Sequence, residues 1–460
     1  MSVRPPPGAG FDLEVPILII GAGACGMVAA LAANEAGAQT LVIEADAIPS
    51  GSTALSAGLI PAAGTRFQKA VGITDTPESF ARDLQNKAKG ESPQELVDTL
   101  ASRAGPTIEW LADRFDLPFS VVADFDYPGH SRRRMHGLPT RTGRELLDRL
   151  RAACEAAGID IICNRRAKTL FAEAGVVSGV EVDGPDGVET IGCQTLVLAC
   201  NGFGGNREMV SLYMPEIENA VWFGHDGNRG DALHWGQALN AGALHLGAYQ
   251  GHGNIATPHG ILISWAVITE GGIQVNLDGE RFWNESQGYS EAARFVLAQP
   301  DAVAWTIFDE RIAAVARQFQ DFKDAETAGA IRTAFELDEL ADTCGLDRAA
   351  LRRSIAKTAT IGEDEFGRVF SGRELEPPYH AVKVTGALFH TQGGLNVSED
   401  ARVRFSSGER MPNLFAAGGA AVGVSGRGDS GYLSGNGLLS AVVLGRIAGQ
   451  SAARLLGENQ

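Results

Sequence analysis

The hexapeptide Gly21-Ala22-Gly23-Ala24-Cys25-Gly26 carries glycines at the spacing of a dinucleotide-binding turn. Each glycine has its own duty. Gly21 permits a tight turn, Gly23 lets backbone approach a pyrophosphate, and Gly26 lets a helix pack closely on a strand. Glu44 ends the next apolar run, where a carboxylate hydrogen-bonds an adenosine ribose. A helix that begins at the turn meets phosphate with unpaired N–H groups and the positive end of its dipole. The chemistry implied is the binding of an adenine dinucleotide, and the motif alone leaves NAD and FAD both open.

The elements that must position this turn are legible around it. Val15–Ile20 is an apolar run suited to a buried parallel strand, Gly26 to Ala36 reads as a helix that Gly37 ends, and QTLVIEA is a second strand. Helical patterns follow at about 92–114 and 143–157, then strand-like pieces around IDIICN, VVSGVEV and TLVLACN, the last running into the glycine-rich GFGGN. From about Gly236 to Pro377 the texture changes to more aromatic and more charged, with short helices expected at 324–336 and 347–357. The α/β pattern returns from Ala381 and ends in an apolar helix, Gly437–Leu456. The expected fold class is α/β, with one discontinuous domain over 1–235 and 378–460 and an inserted α+β domain over 236–377. The first dozen residues read as disordered. Residues 16–33 are apolar enough to be weighed as a membrane span, and the glycine spacing argues against it.

Bulk properties narrow the partners. A chain of 460 residues with a formal net charge of -17 repels nucleic acid and anionic membranes, which leaves a small molecule as the expected partner. Six cysteines without a CxxC pair argue against a disulfide framework, a zinc site or haem attachment, and no metal site is expected. The opening MSVRPPPGAGF lacks the layout of a secretion signal, so the cytoplasm is the expected compartment.

Three further glycine-rich segments carry a family resemblance. They are Ser50-Gly51-Ser52-Thr53-Ala54-Leu55-Ser56-Ala57-Gly58, NLFAAGG at 413–419, and Gly435-Asn436-Gly437-Leu438-Leu439. With GGIQVNLDGERFWNES (271–286) and FHTQGGLNV (389–397), their order is similar to that of the fumarate reductase and 3-ketosteroid dehydrogenase superfamily. The resemblance implies a Rossmann-like FAD-binding domain interrupted by a capping domain, with FAD as cofactor. It places FAD contacts at Gly21, Gly23, Ala24, Cys25, Gly26, Glu44 and Ala45, and at Gly51, Ser52, Thr53, Ser56, Ala57 and Gly58. Further contacts are implied at Ala167, Ala199, Cys200, Asn201, Gly202 and Asp231, and then at Gly418, Gly419 and Gly435 through Leu439. Ser52 stands where membrane-bound members carry the histidine that attaches the flavin, so non-covalent FAD is expected. Gly419 replaces the family's acidic residue, which puts that ribityl hydrogen bond in doubt.

The substrate positions depart from true fumarate reductases, whose arginines and histidines clamp a dicarboxylate. The proton-delivering arginine falls on Tyr289, and the arginine before the last glycine turn falls on Tyr432. The histidine before TxGG falls on Phe389, with His390 in a non-catalytic position, and a Thr-Glu pair becomes Ser264-Trp265. Only His252 is retained, as a polar helper or rival acid/base with a pKa suited to neutral pH, or as a structural histidine. Tyr289 resembles the base of the steroid enzymes; its alternative is packing in the cap. Tyr432 matches their carbonyl-binding tyrosine only after a shift of one position. Tyr127, in DFDYP, is a looser candidate for the pocket. The run Arg132-Arg133-Arg134 with His136 is open between a carboxylate receptor and a solvated loop.

The expected activity is an FAD-dependent desaturation beside the carbonyl of a small, neutral, cyclic ketone, Tyr289 acting as base and Tyr432 as carbonyl donor. The reverse reaction, enone or enoate reduction on a monocarboxylate or keto acid, stays open. The chain shows no second nucleotide-binding unit, so an external electron carrier or oxygen is expected to exchange electrons with it. A non-catalytic flavoprotein is the alternative of another class.

Overall fold

A computed structural model describes residues 1–123 and 126–458. The chain divides into two compact units, one of residues 1–213, 224–249 and 390–460, the other of residues 214–223 and 250–389. The second unit takes in 214–223 and its main segment, 250–389, begins and ends later than the 236–377 drawn from sequence texture. The reason lies in continuity of elements: the helix Asp231–Ala238 falls in the first unit, and the strand Tyr379–Thr391 runs on past the expected boundary.

The first unit is built on a mixed sheet of nine strands. Leu13–Ile20 pairs in parallel with Thr40–Ile43 on one side and with Gly187–Leu198 on the other. The run is apolar because both faces are covered, and Ile17, Leu18 and Ile19 are fully buried. The following helix, Ala24–Glu35, is alanine-rich, and Gly37 at φ +86° ends it as expected. Gly187–Leu198 also pairs antiparallel with Val176–Gly184 and in parallel with Arg410–Ala416. The C-terminal half of the sequence thereby returns to the sheet beside the dinucleotide turn.

Three local expectations change. Ser2–Arg4 is not disordered: it forms a strand parallel to Arg166–Glu173, with Ser2 opposite Thr169 and their hydroxyls 3.0 Å apart. The stretch expected as a helix over 324–336 is a helix at Gln320–Thr327 followed by a strand at Ile331–Ala334, which pairs with Tyr379–Thr391. Gly329 at φ +71° breaks the helix, and the long-range pairing claims the residues beyond. The final helix is interrupted by a π-helical turn at Ser440–Leu444 before continuing as Gly445–Glu458. That last segment meets the first helix through glycines. A Cβ on Gly449 would lie 2.0 Å from the Ala29 carbonyl oxygen and one on Gly445 2.7 Å from that of Cys25.

The second unit has a seven-stranded sheet whose central strand, Tyr379–Thr391, pairs with Val303–Asp309, Ile331–Ala334 and Val221–Trp222. Its core gathers Ile273, Val275, Ile307, Phe308, Val382 and Val384. Among the described residues no helix is long and apolar enough to cross a membrane.

Candidate active site

Within the first unit the glycine turn is defined by contact. Gly21 sits at φ +106°, its N–H donating to Ile43 O at 2.8 Å, and an added Cβ would meet Ala199 O at 2.6 Å. A Cβ on Gly26 would lie 1.9 Å from Gly21 O. Both glycines are thus required by the protein's own packing. Gly23 differs. Its backbone is extended, at φ -73°, and a Cβ there would have only Thr53 Oγ1 near it, at 3.5 Å. Nothing in the polypeptide demands glycine at 23, where the backbone is left open to close approach.

The other glycine-rich segments converge on this turn. Thr53 Oγ1 accepts from Ala24 N–H at 3.1 Å, and Ser52 Oγ accepts from Asn201 Nδ2 at 2.9 Å. A Cβ on Gly418 would lie 3.4 Å from Cys25 Sγ, and one on Gly58 2.5 Å from Thr142 O. Ser56 Oγ donates to Thr53 O and accepts from Gly58 N–H, fixing the bend that contains Ala57. Glu44, next to Ala45, turns its carboxylate toward the turn, accepting from Ala22 N–H at 2.7 Å and from Asp46 N–H at 3.0 Å. Each of its oxygens retains a lone pair for a ribose hydroxyl. Ala167 is buried on the strand Arg166–Glu173, and Arg166 pairs with Asp231 at 3.1 Å where the helix Asp231–Ala238 begins. Burial holds the Asp231 carboxyl above its usual range and pushes the Cys200 thiol up to about 12.

The departure at Gly419 has a steric cause. A Cβ there would stand 2.2 Å from Asn201 Oδ1, so the asparagine fills the space an acidic side chain would need. Sequence reading missed a second polar group, in which Gln392 Nε2 donates to His390 Nδ1 at 2.9 Å while Gln392 Oε1 accepts from Ser425 Oγ at 2.7 Å. Asn436 Nδ2 donates to the same Ser425 hydroxyl at 2.9 Å. This group braces the turn at Gly435, which sits at φ +89°, and the short helix Asn436–Leu439 containing Leu438. The His390 ring lies over Gly437, 2.7 Å from where a Cβ would be, and burial lowers its pKa to about 4. Tyr432 meets His390 edge to face, with ring centroids 5.6 Å apart. Burial pushes its phenol pKa up, partly offset by backbone hydrogen bonds at Gly437 and Gly435. Tyr432 is therefore a neutral phenol directed at that turn.

The second unit assembles the aromatic candidates. His252 lies on the strand Tyr249–Ala256, between Gly251 and Gly253. A Cβ on Gly253 would be 2.3 Å from the Ala292 Cβ, so glycine lets the helix Tyr289–Leu297 come against the strand. Gly251 N–H donates to Ser290 Oγ at 2.9 Å and fixes the register. As a result the His252 ring stacks on Tyr289 at 5.1 Å and on Phe389 at 5.5 Å, each inclined 20°, while Trp265 meets it edge-on at 5.8 Å. Phe223 stacks on the Phe389 ring at 5.0 Å. Ser264 Oγ accepts from Ala266 N–H at 3.3 Å and so turns the chain at Trp265.

His252 does not have the near-neutral pKa expected of it. Burial lowers it to about 3, and Asn254 N–H donates to its Nδ1 at 3.2 Å. A neutral ring that accepts at Nδ1 carries its proton on Nε2. Tyr289 is reached through the NES segment, whose Glu285 is fully buried and accepts from Gln274 N–H and Arg281 Nε, each at 3.0 Å. Arg368 also pairs with Glu285, at 3.1 Å, and Arg281 pairs with Asp364.

The arginine run does not form an open receptor. Arg134 is 1% exposed, held by Asp75 at 2.9 and 3.0 Å and by Asp83 at 2.5 Å. Arg133 pairs with Asp126, and Arg132 donates to Ser131 O. His136 is buried against Thr65 Oγ1 at 2.8 Å, its pKa lowered to about 4 by burial. Asp124 and Phe125 of DFDYP lie outside the described residues; Tyr127, which is described, is half-buried and its carbonyl accepts from His130 N–H.

A Rossmann-like sheet, a strand–turn–helix with glycines in its turn, and converging glycine segments define a dinucleotide-binding domain. The chain belongs to the FAD binding domain family, whose model matches residues 16–438. It is 31% identical over 457 residues to a probable fumarate reductase of Shewanella frigidimarina, covering 97% of this chain and 76% of that one. Among solved structures it superposes on the open conformation of a flavocytochrome c3 fumarate reductase with TM-score 0.82, at 29% identity, covering 97% of this chain and 79% of the other. A 3-ketosteroid Δ4-(5α)-dehydrogenase from Rhodococcus jostii RHA1 shares the fold with TM-score 0.77 at 24% identity, covering 98% and 100%. The protein is an FAD-dependent oxidoreductase acting on CH–CH bonds.

Proposed function

We propose that the protein desaturates a C–C bond next to the carbonyl of a small neutral compound, a cyclic ketone in the simplest case. The observation that carries this reading is the His252 cluster, in which a buried neutral imidazole packs among the rings of Tyr289, Phe389 and Trp265, positions that the family resemblance matches to dianion-binding ones. A dianion would be desolvated among these rings, whereas a flat conjugated ketone buries its apolar faces on them.

Bound FAD supplies the hydride acceptor at N5. Tyr432, kept neutral by burial, donates its O–H to the substrate carbonyl, which acidifies the adjacent C–H. Tyr289, ionised to its phenolate, takes up that α-proton and becomes the phenol. The β-hydrogen leaves with its electron pair, and the C=C bond forms from the electrons of the broken α-C–H bond. His252 offers Nε2–H beside Tyr289 and adds no positive charge. Electrons pass on to an external acceptor or oxygen.

The assay is turnover of cyclic ketones with an artificial electron acceptor, run beside succinate. Oxidation of succinate with no turnover of any ketone defeats the proposal. The reverse direction is favoured by one observation, the reductase assignment of the Shewanella relative. Reduction of enones by the photoreduced protein, at rates above the forward reaction, selects it.

A further inference from the structure

The arginine run that forms no open receptor leads to a different role. Arg134 Nη1 donates to Asp83 at 2.5 Å and to His130 Nδ1 at 3.2 Å, while its Nε and Nη2 hold Asp75. The guanidinium also lies over the Phe80 ring, 4.9 Å from the centroid. Arginine carries donors only, so His130 Nδ1 accepts and the ring proton sits on Nε2. That N–H donates to the Ser434 carbonyl oxygen at 2.9 Å. Burial and then the Arg134 charge lower the His130 pKa to about 4, so the ring is neutral near pH 7 and keeps this one arrangement.

The loop around His130 is shaped to bring it there. Gly129 sits at φ +83°, and a Cβ on it would lie 2.7 Å from Leu433 Cδ1, so glycine lets the loop pass over the residue before Ser434. On the other side Asp83 accepts from Ser131 N–H at 2.7 Å. Ser434 is buried, and it stands between Tyr432 and the turn whose Gly437 and Gly435 N–H groups donate to the Tyr432 hydroxyl oxygen. A chain of directed hydrogen bonds therefore runs from a buried ion cluster, through one imidazole, to the backbone that sets the phenol.

We propose that His130, oriented by Arg134, is a positioning residue for Tyr432, holding the Ser434 carbonyl so that the phenol keeps its aim. The proposal rests on the reading of Tyr432 as carbonyl donor in the desaturation. It gives the arginine run a function without a carboxylate ligand: the cation selects the imidazole tautomer, and the imidazole holds the turn.

The test compares His130→Gln with His130→Asn in the holoenzyme. Glutamine accepts from Arg134 and still reaches Ser434 with a donor, whereas asparagine accepts from Arg134 and is too short to reach the carbonyl. Labelling the six tyrosines with 3-fluorotyrosine gives a fluorine NMR signal for Tyr432, identified by its loss in Tyr432→Phe. That signal should move in His130→Asn and keep its parent position in His130→Gln, with the thermal midpoints of the two variants alike. On a ketone that is turned over, kcat should fall about 10- to 100-fold in His130→Asn, the cost of a misaimed group, with KM within about threefold, and His130→Gln should recover to within about threefold of the parent. A Tyr432 signal unmoved in His130→Asn overturns the proposal, and so does an equal displacement in both variants. The expected fluorine shifts without turnover of any ketone would defeat the desaturation reading and leave the hold of His130 on Tyr432 standing.

Discussion

The two units surround their key residues with different materials. In the first, the turn at Gly21–Gly26 is enclosed by backbone carbonyls and the Thr53 hydroxyl, from segments that include the distant Ala199. In the second, His252 is enclosed by rings brought together by one strand, one helix and two neighbouring stretches of chain. Glycine recurs in the former because Gly21 and Gly26 leave no room for a side chain, and aromatics dominate the latter, where burial lowers the His252 pKa. Both units do contain buried guanidinium groups, at Arg134 and at Arg281 with Arg368, and in both the carboxylates that meet them are the protein's own. The difference teaches that arginine content says little about substrate charge in this fold until each guanidinium's partner is known.

The strongest blow to this contrast would fall at Tyr289. Tyr289→Phe keeps the stacking on His252 and removes the phenol, so ketone turnover should fall about 10²- to 10⁴-fold with the flavin spectrum intact, as stopped-flow bleaching would record. A change below about twofold would reduce Tyr289 to a packing ring. Next in size is Arg134→Met, which strands Asp75 and Asp83 in the interior. Denaturant melts should show a loss of about 3–5 kcal/mol, typical of breaking a buried pair, and little loss would mean that the arginine is not structural.

A third comparison separates glycines that serve the chain from one that serves a ligand. Gly23→Ala should leave protein stability nearly unchanged and weaken FAD about tenfold or more, whereas Gly26→Ala, with its Cβ 1.9 Å from Gly21 O, should destabilise the fold itself. Thermal midpoints beside FAD titrations would distinguish them. Smallest per step of the variable changed is the effect of protonation. His252 has its folded pKa lowered to about 3 from 6.5, so below pH 6.5 the unfolded chain binds a proton that the folded chain refuses. Its contribution to stability is complete above pH 6.5 and declines as pH falls toward about 3. His252→Phe should flatten the wild-type slope of unfolding free energy by about 1.4 kcal/mol per pH unit in that window. An unchanged slope would mean that His252 titrates alike in both states.

What could be read from sequence was local or backbone-driven. The strand Leu13–Ile20, its helix and the turn between them announce themselves because the apolar run is continuous and Gly26 answers a steric demand from Gly21 and Ile19, within a few residues. The aromatic identities at 252, 265, 289 and 389 were also visible, although their stacking was not. What stayed hidden depended on distant partners. Asp75 and Asp83 decide the fate of Arg134, the strand Tyr379–Thr391 decides that Ile331–Ala334 leaves helix for sheet, and Asn201 decides why position 419 is glycine. His130 and Gln392 carry no spacing signal at all, since each works through a single side chain in a loop or at a strand end. The pKa of His252 is likewise a property of its surroundings and not of its type.

The short strand Ser2–Arg4 has a practical consequence for handling the protein. It covers Thr169–Phe171 on the edge of the nine-stranded sheet, where the chain's opening residues close a row of backbone donors and acceptors. Trimming those residues as a dispensable leader, or burdening them with a bulky fusion, would bare that row to any other chain in solution and invite intermolecular strand pairing. Affinity handles therefore belong at the other terminus.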